Sequence, residues 1–225
     1  MIVKHDAKML LLHQVKNFYT GGVSQQEEIA VSYVYQGVLE RLNQCFSHIK
    51  NKYYHKDGET FFNPLHVAQW TMFLYQMAYE IKGVFPENID LCDKIYGISK
   101  SFSSADIYYE VKMPEIWFFD HPQGSVMGRA EYSNFFSFGQ GCTVGNNRGI
   151  YPRFGEHVSM MSGSKVLGNC CVGDHVIFAA NSYIIDQDIP PYSIVFGSGR
   201  NTVIQHISSD KFNELTRSVF DESDK

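Results

Sequence analysis

Apolar residues recur every sixth position along the C-terminal half of this chain. The series runs Val126, Tyr132, Phe138 and Val144, then Phe154, Met160, Val166, Val172, Phe178 and Ile184. A companion set, mostly small or slim, sits four residues behind: Ala130, Phe136, Cys142, Val158, Ser164, Cys170, Val176 and Ser182. A helix repeats near 3.6 and a plain strand at 2, so neither produces a strict period of six. A chain that turns a corner every six residues and stacks coil on coil does. Both sets then point into a narrow prism with room for one large and one small side chain per level. The pattern predicts a parallel β-helix whose coils pair at about the 4.8 Å strand spacing. Met113 and Phe119 belong to an earlier stretch that is out of phase by one residue. Between Val144 and Phe154 the count is four residues too long, and Asn146, Asn147, Arg148 and Gly149 supply a loop at one corner.

The front half follows a helical period. Residues 8–20 and 26–52 predict two helices separated by Gly21-Gly22, the second with Val31, Val34, Val38, Leu42, Cys45 and Ile49 on one face. After a break at Lys56-Asp57-Gly58, Asn63-Pro64 reads as an N-cap and first helical position. The helix it opens, Leu65 to Lys82, carries Trp70, Phe73, Leu74, Tyr75, Met77 and Tyr79 and ends at Gly83. Aromatics all round predict burial on several sides, against the first coil or another subunit, with a ligand site as the lesser alternative. A further short helix runs from Pro86 to about Ser99. Ser101–Ala105 is a small polar hinge. The expected organisation is a helical domain over 1–104, the β-helix over 105–206 and a polar, acidic tail over 207–225.

Composition narrows the function classes. The net charge is −5 with no Lys/Arg run, which argues against a nucleic-acid partner. No apolar stretch approaches the ~20 residues that span a bilayer, and the N-terminus shows no export signal. Five cysteines form no CxxC pair, and Cys142 and Cys170 fall on inward positions of the repeat. These features predict a reduced, cytoplasmic protein. The scattered histidines show no pair at metal-ligand spacing, so no metal cofactor is expected.

A β-helix is a scaffold, and chemistry needs a site. The repeat loses phase at Phe119-Asp120-His121-Pro122-Gln123-Gly124, which sets a histidine at a corner. Asp106 lies fifteen positions earlier, almost one full coil away. Its carboxylate could accept the imidazole Nδ1–H and leave Nε2 as a base. By contrast, His157 and His175 occupy the same outward slot of two regular coils and read as solvated faces. His66 reads as a satisfied core residue.

Asp106-Ile107, Asp120-His121-Pro-Gln-Gly, Gln140-Gly-Cys-Thr-Val-Gly145 and Ser162-Gly-Ser-Lys-Val-Leu-Gly-Asn together resemble the serine O-acetyltransferase family over roughly residues 60–205. The resemblance implies a left-handed β-helix of hexapeptide repeats and acetyl-CoA as co-substrate. It implies His121 as general base, Asp106 as the carboxylate that orients it, and Asp120 as an acceptor contact. It also implies a cofactor groove at Gly145, Asn146, Ser162 and Ala180. Arg200 is either a partner for a CoA phosphate or an ordinary surface charge. Asp57 is either a second acceptor carboxylate or a turn residue beside Gly58.

One departure bears on the acceptor. The family carries Arg-His before a proline in the long loop, to hold the carboxylate of serine. Here Ile150 and Tyr151 precede Pro152, and Arg148 is the nearest arginine able to form a bidentate pair with a carboxylate. Three readings follow: transfer of acetyl to serine or a related small alcohol, transfer to a sugar or polysaccharide hydroxyl, or a non-catalytic scaffold. The resemblance implies a homotrimer or a dimer of trimers, with roles in cysteine biosynthesis, and neither nucleic acid nor membrane as partner.

Overall fold

The computed structural model describes residues 1–216 and 219–221; residues 217–218 and 222–225 of the expected tail lie outside the described residues. The chain divides into two compact units. One holds Met1–Ser47 with Asn51–Glu110, the other His48–Lys50 with the chain from Val111 onward.

In the first unit, helix α1 (Ala7–Phe18) is capped by Asp6, whose carboxylate accepts the Met9 N–H at 2.9 Å. Helix α2 (Gln25–Ser47) opens on a capping box. Glu27 N–H donates to Ser24 Oγ at 3.2 Å, and Ser24 N–H donates to Glu27 Oε2 at 2.7 Å. Val31, Val34, Val38, Leu42 and Cys45 form its buried face. The helix ends at Ser47 rather than 52. His48–Lys50 instead belong to the second unit, where Ile49 bridges Phe220 and Lys50 N–H donates to Val219 O at 2.9 Å. Long-range pairing there overrides the helical spacing of Ile49.

Strands His55–Lys56 and Glu59–Phe62 form a hairpin. Its two-residue turn is Asp57 (φ 53°) and Gly58 (φ 82°), the positive-φ pair that a tight antiparallel turn requires. Helix α3 (Val67–Val84) starts later than the Asn63-Pro64 signal suggests, because His66 is its N-cap and accepts the Gln69 N–H. Its rings find partners within their own unit. Trp70 stacks on Phe73 at 4.9 Å and donates Nε1–H to Gln14 of α1 at 3.1 Å. Phe73 also meets Tyr35 of α2 and Phe62 of the hairpin. Helix α4 (Ile89–Ser103) runs through most of the expected hinge and stops where Ser104 adopts a left-handed conformation (φ 55°).

The second unit is a parallel β-solenoid. One face stacks Trp117–Phe119, Phe136–Phe138, Ser159–Met160, Val176–Phe178 and Ser193–Phe196 in parallel, with Val203–His206 antiparallel on the last. A second face stacks Val126–Met127, Thr143–Gly145, Lys165–Leu167 and Tyr183–Ile185. The third pairs Arg153–Phe154 with Cys171–Val172, continued by single bridges from Glu131 and to Ile189. From Phe138 onward the apolar positions of the six-residue series lie inside the prism.

Two expectations about the series need correction. Val126 points outward and is 41% exposed, while Met127 is buried and pairs with Val144. The phase slips because Phe119 to Met127 spans eight residues and includes the Asp120–Gly124 corner. The rule of one large and one small residue per level also fails at the first coils. Trp117 and Phe119 are both buried, as are Phe136 and Phe138, and their rings pack together at 5.4 Å between Phe119 and Phe138. Helix α5 (Ser209–Thr216) lies on the first face, with Phe212 against Ile177, Ile194 and Ile207.

Candidate active site

His121 stands at the irregular corner with a left-handed backbone (φ 49°) and a side chain 77% exposed. The corner is fixed from beneath. Asp120 N–H donates to Phe138 O at 3.1 Å, Gln123 N–H to His121 O at 2.9 Å, and Gly141 N–H to Gln123 O at 3.0 Å. Ser125 Oγ donates to Gly139 O at 2.7 Å and accepts the Cys142 N–H at 3.0 Å. An imidazole is thus carried on a hydrogen-bonded corner while its ring reaches solvent. His121 Nε2 is 3.6 Å from Asp120 Oδ1. A donor group held by Asp120 would therefore lie on the Nε2 side of the ring.

Asp120 also lines a cleft of about 230 Å³ with Phe118, Gly139, Gln140, Met161 and Ser162. Thr216 and Val219 of the C-terminal segment also line it.

Asp106 belongs to the helical unit. Its Oδ2 accepts from Lys100 Nζ at 2.6 Å and its Oδ1 from Tyr96 Oη at 2.6 Å. Partial burial pushes this carboxyl up, but the Lys100 and Tyr96 hydrogen bonds outweigh burial and hold it below the usual carboxylate range. Neither Lys100 nor Tyr96 figured in the reading of the sequence. The signal was available: both lie one or two turns from the end of α4, on a helix read as ending at Ser99.

The surplus residues before Phe154 form a tight hairpin. Asn147 and Ile150 exchange both backbone hydrogen bonds at 3.0 Å across Arg148 (φ 50°) and Gly149 (φ 80°). Asn147 Nδ2 donates to Asp186 Oδ2 at 2.6 Å. The Asn169 N–H and the Asn147 amide, aided by the nearby Arg148 charge, hold the Asp186 carboxyl below its ordinary value. Tyr151 lies in a separate open cleft of about 510 Å³ with Arg129, Glu131, Arg153 and Asn169.

Within the second unit Asp120, Arg148 and Tyr151 take separate places, and Asp57 belongs to the first unit. Asp120 is at the His121 corner, Arg148 is beside Asp186, Tyr151 is in its own cleft, and Asp57 is the hairpin turn residue described above. The candidate cofactor residues divide likewise. Ser162 and Ala180 stack on successive coils at the corner after the first face, where Asn181 N–H donates to Ser162 O at 2.9 Å. Gly145 and Asn146 lie at the corner after the second face. Arg200 is exposed in a short 3₁₀ turn, Gly199–Asn201.

His157 and His175 are not solvated faces. With Phe135 and Tyr192 they form a column of stacked rings along one corner, at centroid spacings of 4.3, 4.6 and 4.6 Å. Phe212 of α5 packs edge-on against His175 at 5.1 Å. His66 is half-buried and serves as the α3 cap between Tyr53 and Tyr54. Among the described residues no cluster of His, Cys, Asp or Glu is arranged to hold a metal, and no helix is long and apolar enough to cross a membrane.

A helical region followed by a parallel β-solenoid, with apolar positions recurring every six residues, is the fold this chain shares with solved serine acetyltransferases. In sequence it is similar to serine acetyltransferases as well. It is 31% identical over 116 residues to the serine acetyltransferase of Staphylococcus aureus, an alignment covering 44% of this chain and 49% of that protein. The chain thus spans about half the length of the curated relatives it matches. The solved serine acetyltransferase from Vibrio cholerae O1 biovar El Tor superposes with a TM-score of 0.71 at 18% identity, covering 96% of this chain and 84% of its own. A serine acetyltransferase solved in complex with CoA gives a TM-score of 0.67 at 18% identity, over 90% and 86% of the two chains. At these identities the structural likeness shows the shared fold. No protein-family model matches the chain.

Proposed function

We propose that this protein is an acetyl-CoA-dependent O-acetyltransferase of the serine acetyltransferase kind, with His121 as its general base. The observation that carries the reading is the Asp120–His121 corner: an exposed imidazole on a rigid turn, its Nε2 facing a carboxylate, in a segment whose residues match that family. In the reaction the acceptor hydroxyl gives its proton to His121 Nε2 as its oxygen attacks the thioester carbonyl. The tetrahedral intermediate collapses, the carbon–sulfur bond breaks, and the CoA thiolate takes the proton from the imidazolium. A positioned base typically contributes ~10²–10⁴-fold. Asp106 is assigned to orient the base and Asp120 to hold the acceptor, through its amine where it has one.

Support for acetyl-CoA as donor comes from the likeness to a serine acetyltransferase solved with CoA. Gly145, Asn146, Ser162 and Ala180 are assigned to the pantetheine groove and Arg200 to a CoA phosphate. These residues lie at two different corners of the prism. A groove that uses both corners needs a second copy of the chain, which supports a homotrimer, or a dimer of trimers. Cys92, Cys142, Cys170 and Cys171 are free thiols, which supports a reducing, cytoplasmic setting and a place in cysteine biosynthesis.

A second reading, a sugar hydroxyl as acceptor, is favoured by Tyr151. An aromatic ring in an open cleft offers a platform where the family places a histidine. The experiment is thiol release from acetyl-CoA with L-serine, with simple sugars and with no acceptor. Acceptor-dependent release with serine supports the first reading and with sugars the second. No release with any acceptor removes both in favour of a scaffold.

A further inference from the structure

The Tyr151 cleft carries chemistry that acetyl transfer at His121 does not use. It lies wholly within the second unit, and its walls come from three consecutive coils and the Asn147–Ile150 hairpin. Glu131 and Arg153 are backbone neighbours one coil apart on the third face, and both are exposed. Opposite charges side by side on neighbouring strands attract and commonly pair. Here they do not: among the described residues neither the Glu131 carboxylate nor the Arg153 guanidinium has an ion-pair or hydrogen-bond partner. The next residue in that lane is Cys171, which offers Arg153 no carboxylate.

The hairpin forms another wall. It is held by its own two backbone hydrogen bonds and by Asn147 Nδ2 on Asp186, and it presents Ile150, 50% exposed, next to the half-buried Tyr151 ring. Asn169 adds an exposed carboxamide, while its backbone N–H is committed to Asp186 Oδ1. Arg129 brings a second guanidinium, so the lining carries two positive charges against one negative.

Ordinary hydrated surface is the simpler account of these side chains. The shape and the division of the lining speak for more. The cleft of about 510 Å³ falls in the range of small-molecule sites, roughly 300–1,000 Å³. Its apolar surface is gathered at Ile150 and Tyr151, and its unpaired polar groups lie on the other walls. A hexose has the same division, with C–H bonds on its ring faces and hydroxyls round its rim. Glu131 accepts from hydroxyls, and the Asn169 amide both donates and accepts. The forked N–H donors of Arg153 match a carboxylate. A phosphate dianion would meet Arg153 as well, but Glu131 beside it repels two charges more than one.

We propose that this cleft binds a sugar that carries a carboxylate, a hexuronate, with its ring on Tyr151 and Ile150, its carboxylate on Arg153 and its hydroxyls on Glu131 and Asn169. The claim concerns binding and stands apart from the sugar reading of the acceptor, which concerns transfer.

The test titrates the full chain, without acetyl-CoA, with sodium D-glucuronate, D-glucose, inorganic phosphate and L-serine. Affinity is read by calorimetry, and saturation-transfer NMR reports which sugar protons touch the protein. Glucuronate binds about tenfold more tightly than glucose, through the charge-assisted pair. Its ring C–H protons take up most of the saturation. Arg153→Met brings glucuronate down to the level of glucose, and Tyr151→Ala weakens both sugars about tenfold. With Glu131→Gln, phosphate gains on glucuronate about threefold. Should Tyr151→Ala fail to fold, Arg153→Met, altered at an exposed side chain, carries the test alone. Equal binding of the two sugars, glucuronate binding that Arg153→Met leaves intact, or tighter binding of phosphate or L-serine to the wild type overturns the inference. Thiol release with glucuronate reads the acceptor separately. Binding without release leaves this site standing and removes the sugar reading, whereas release with glucose and no binding of glucuronate keeps that reading and overturns this inference.

Discussion

His121 and the His157/His175 pair have the same side chain, the same left-handed backbone (φ 49°, 58° and 58°) and the same kind of position, a corner of the solenoid. Their surroundings are opposite. His157 and His175 lie on regular coils, so the residues one coil away stand directly above and below them. Those residues are aromatic, and the imidazoles become two plates in a stack between Phe135 and Tyr192. His121 lies where the coil is lengthened by the Asp120–Gly124 corner. Among the described residues no ring stacks on it, and it reaches water beside Asp120. Regular stacking turns a histidine into packing material, whereas a break in the repeat leaves its ring open to water.

The comparison can be broken most forcefully by exchanging the two fates. His121→Ala should lower kcat ~10²–10⁴-fold, read by thiol release, with the melting temperature nearly unchanged. His175→Ala should do the reverse. It should cost about 2–3 kcal/mol by chemical denaturation, since two stacked contacts and the Phe212 edge contact are lost, and leave kcat within about twofold. Asp106→Asn should reduce kcat ~10-fold or more without raising the acceptor KM, because an orienting partner acts on the transition state.

The smallest effect expected lies away from both corners, at Glu27. Partial burial raises its carboxyl, but the Ser24 N–H and the Lys94 ion pair at 2.9 Å more than offset this and hold it below its ordinary value. A depressed carboxylate stabilises the fold above its unfolded value and loses that contribution as pH falls through its folded value. Glu27→Gln should therefore cost about 1 kcal/mol at pH 7, and the gap from wild type should close as pH is lowered through the carboxylate range. A gap that stays constant with pH would place the cost in the cap geometry rather than in the charge.

Much of this was legible because a six-residue period has one structural meaning. The surplus at Asn146–Gly149 announced a loop, and the Asn147–Ile150 hairpin is that loop. The phase at Val126 was not legible: Val126 and Met127 are both apolar, and only the length of the preceding corner decides which turns inward. The end of α2 was hidden because Ile49 fits the helical spacing and is claimed by pairing with Phe220, a contact no local pattern records. The histidine column was missed although its signal was present. Phe135, His157, His175 and Tyr192 are spaced 22, 18 and 17 residues apart, one coil each, and all four carry flat rings. Reading each histidine against its own neighbours, rather than against the residue one coil away, made them look solvated. The grip of Lys100 and Tyr96 on Asp106 was lost for a similar reason, since the expected hinge removed the last turn of α4 from view.

The most direct test of the central claim is the pH dependence of kcat/KM for the acceptor at saturating acetyl-CoA, in wild type and in His121→Ala. If His121 takes the hydroxyl proton, a single protonation shuts off the wild-type rate on the acid side, and the small residual rate of the variant lacks that limb. A variant that keeps both the wild-type rate and the same acid limb would show that the proton goes elsewhere.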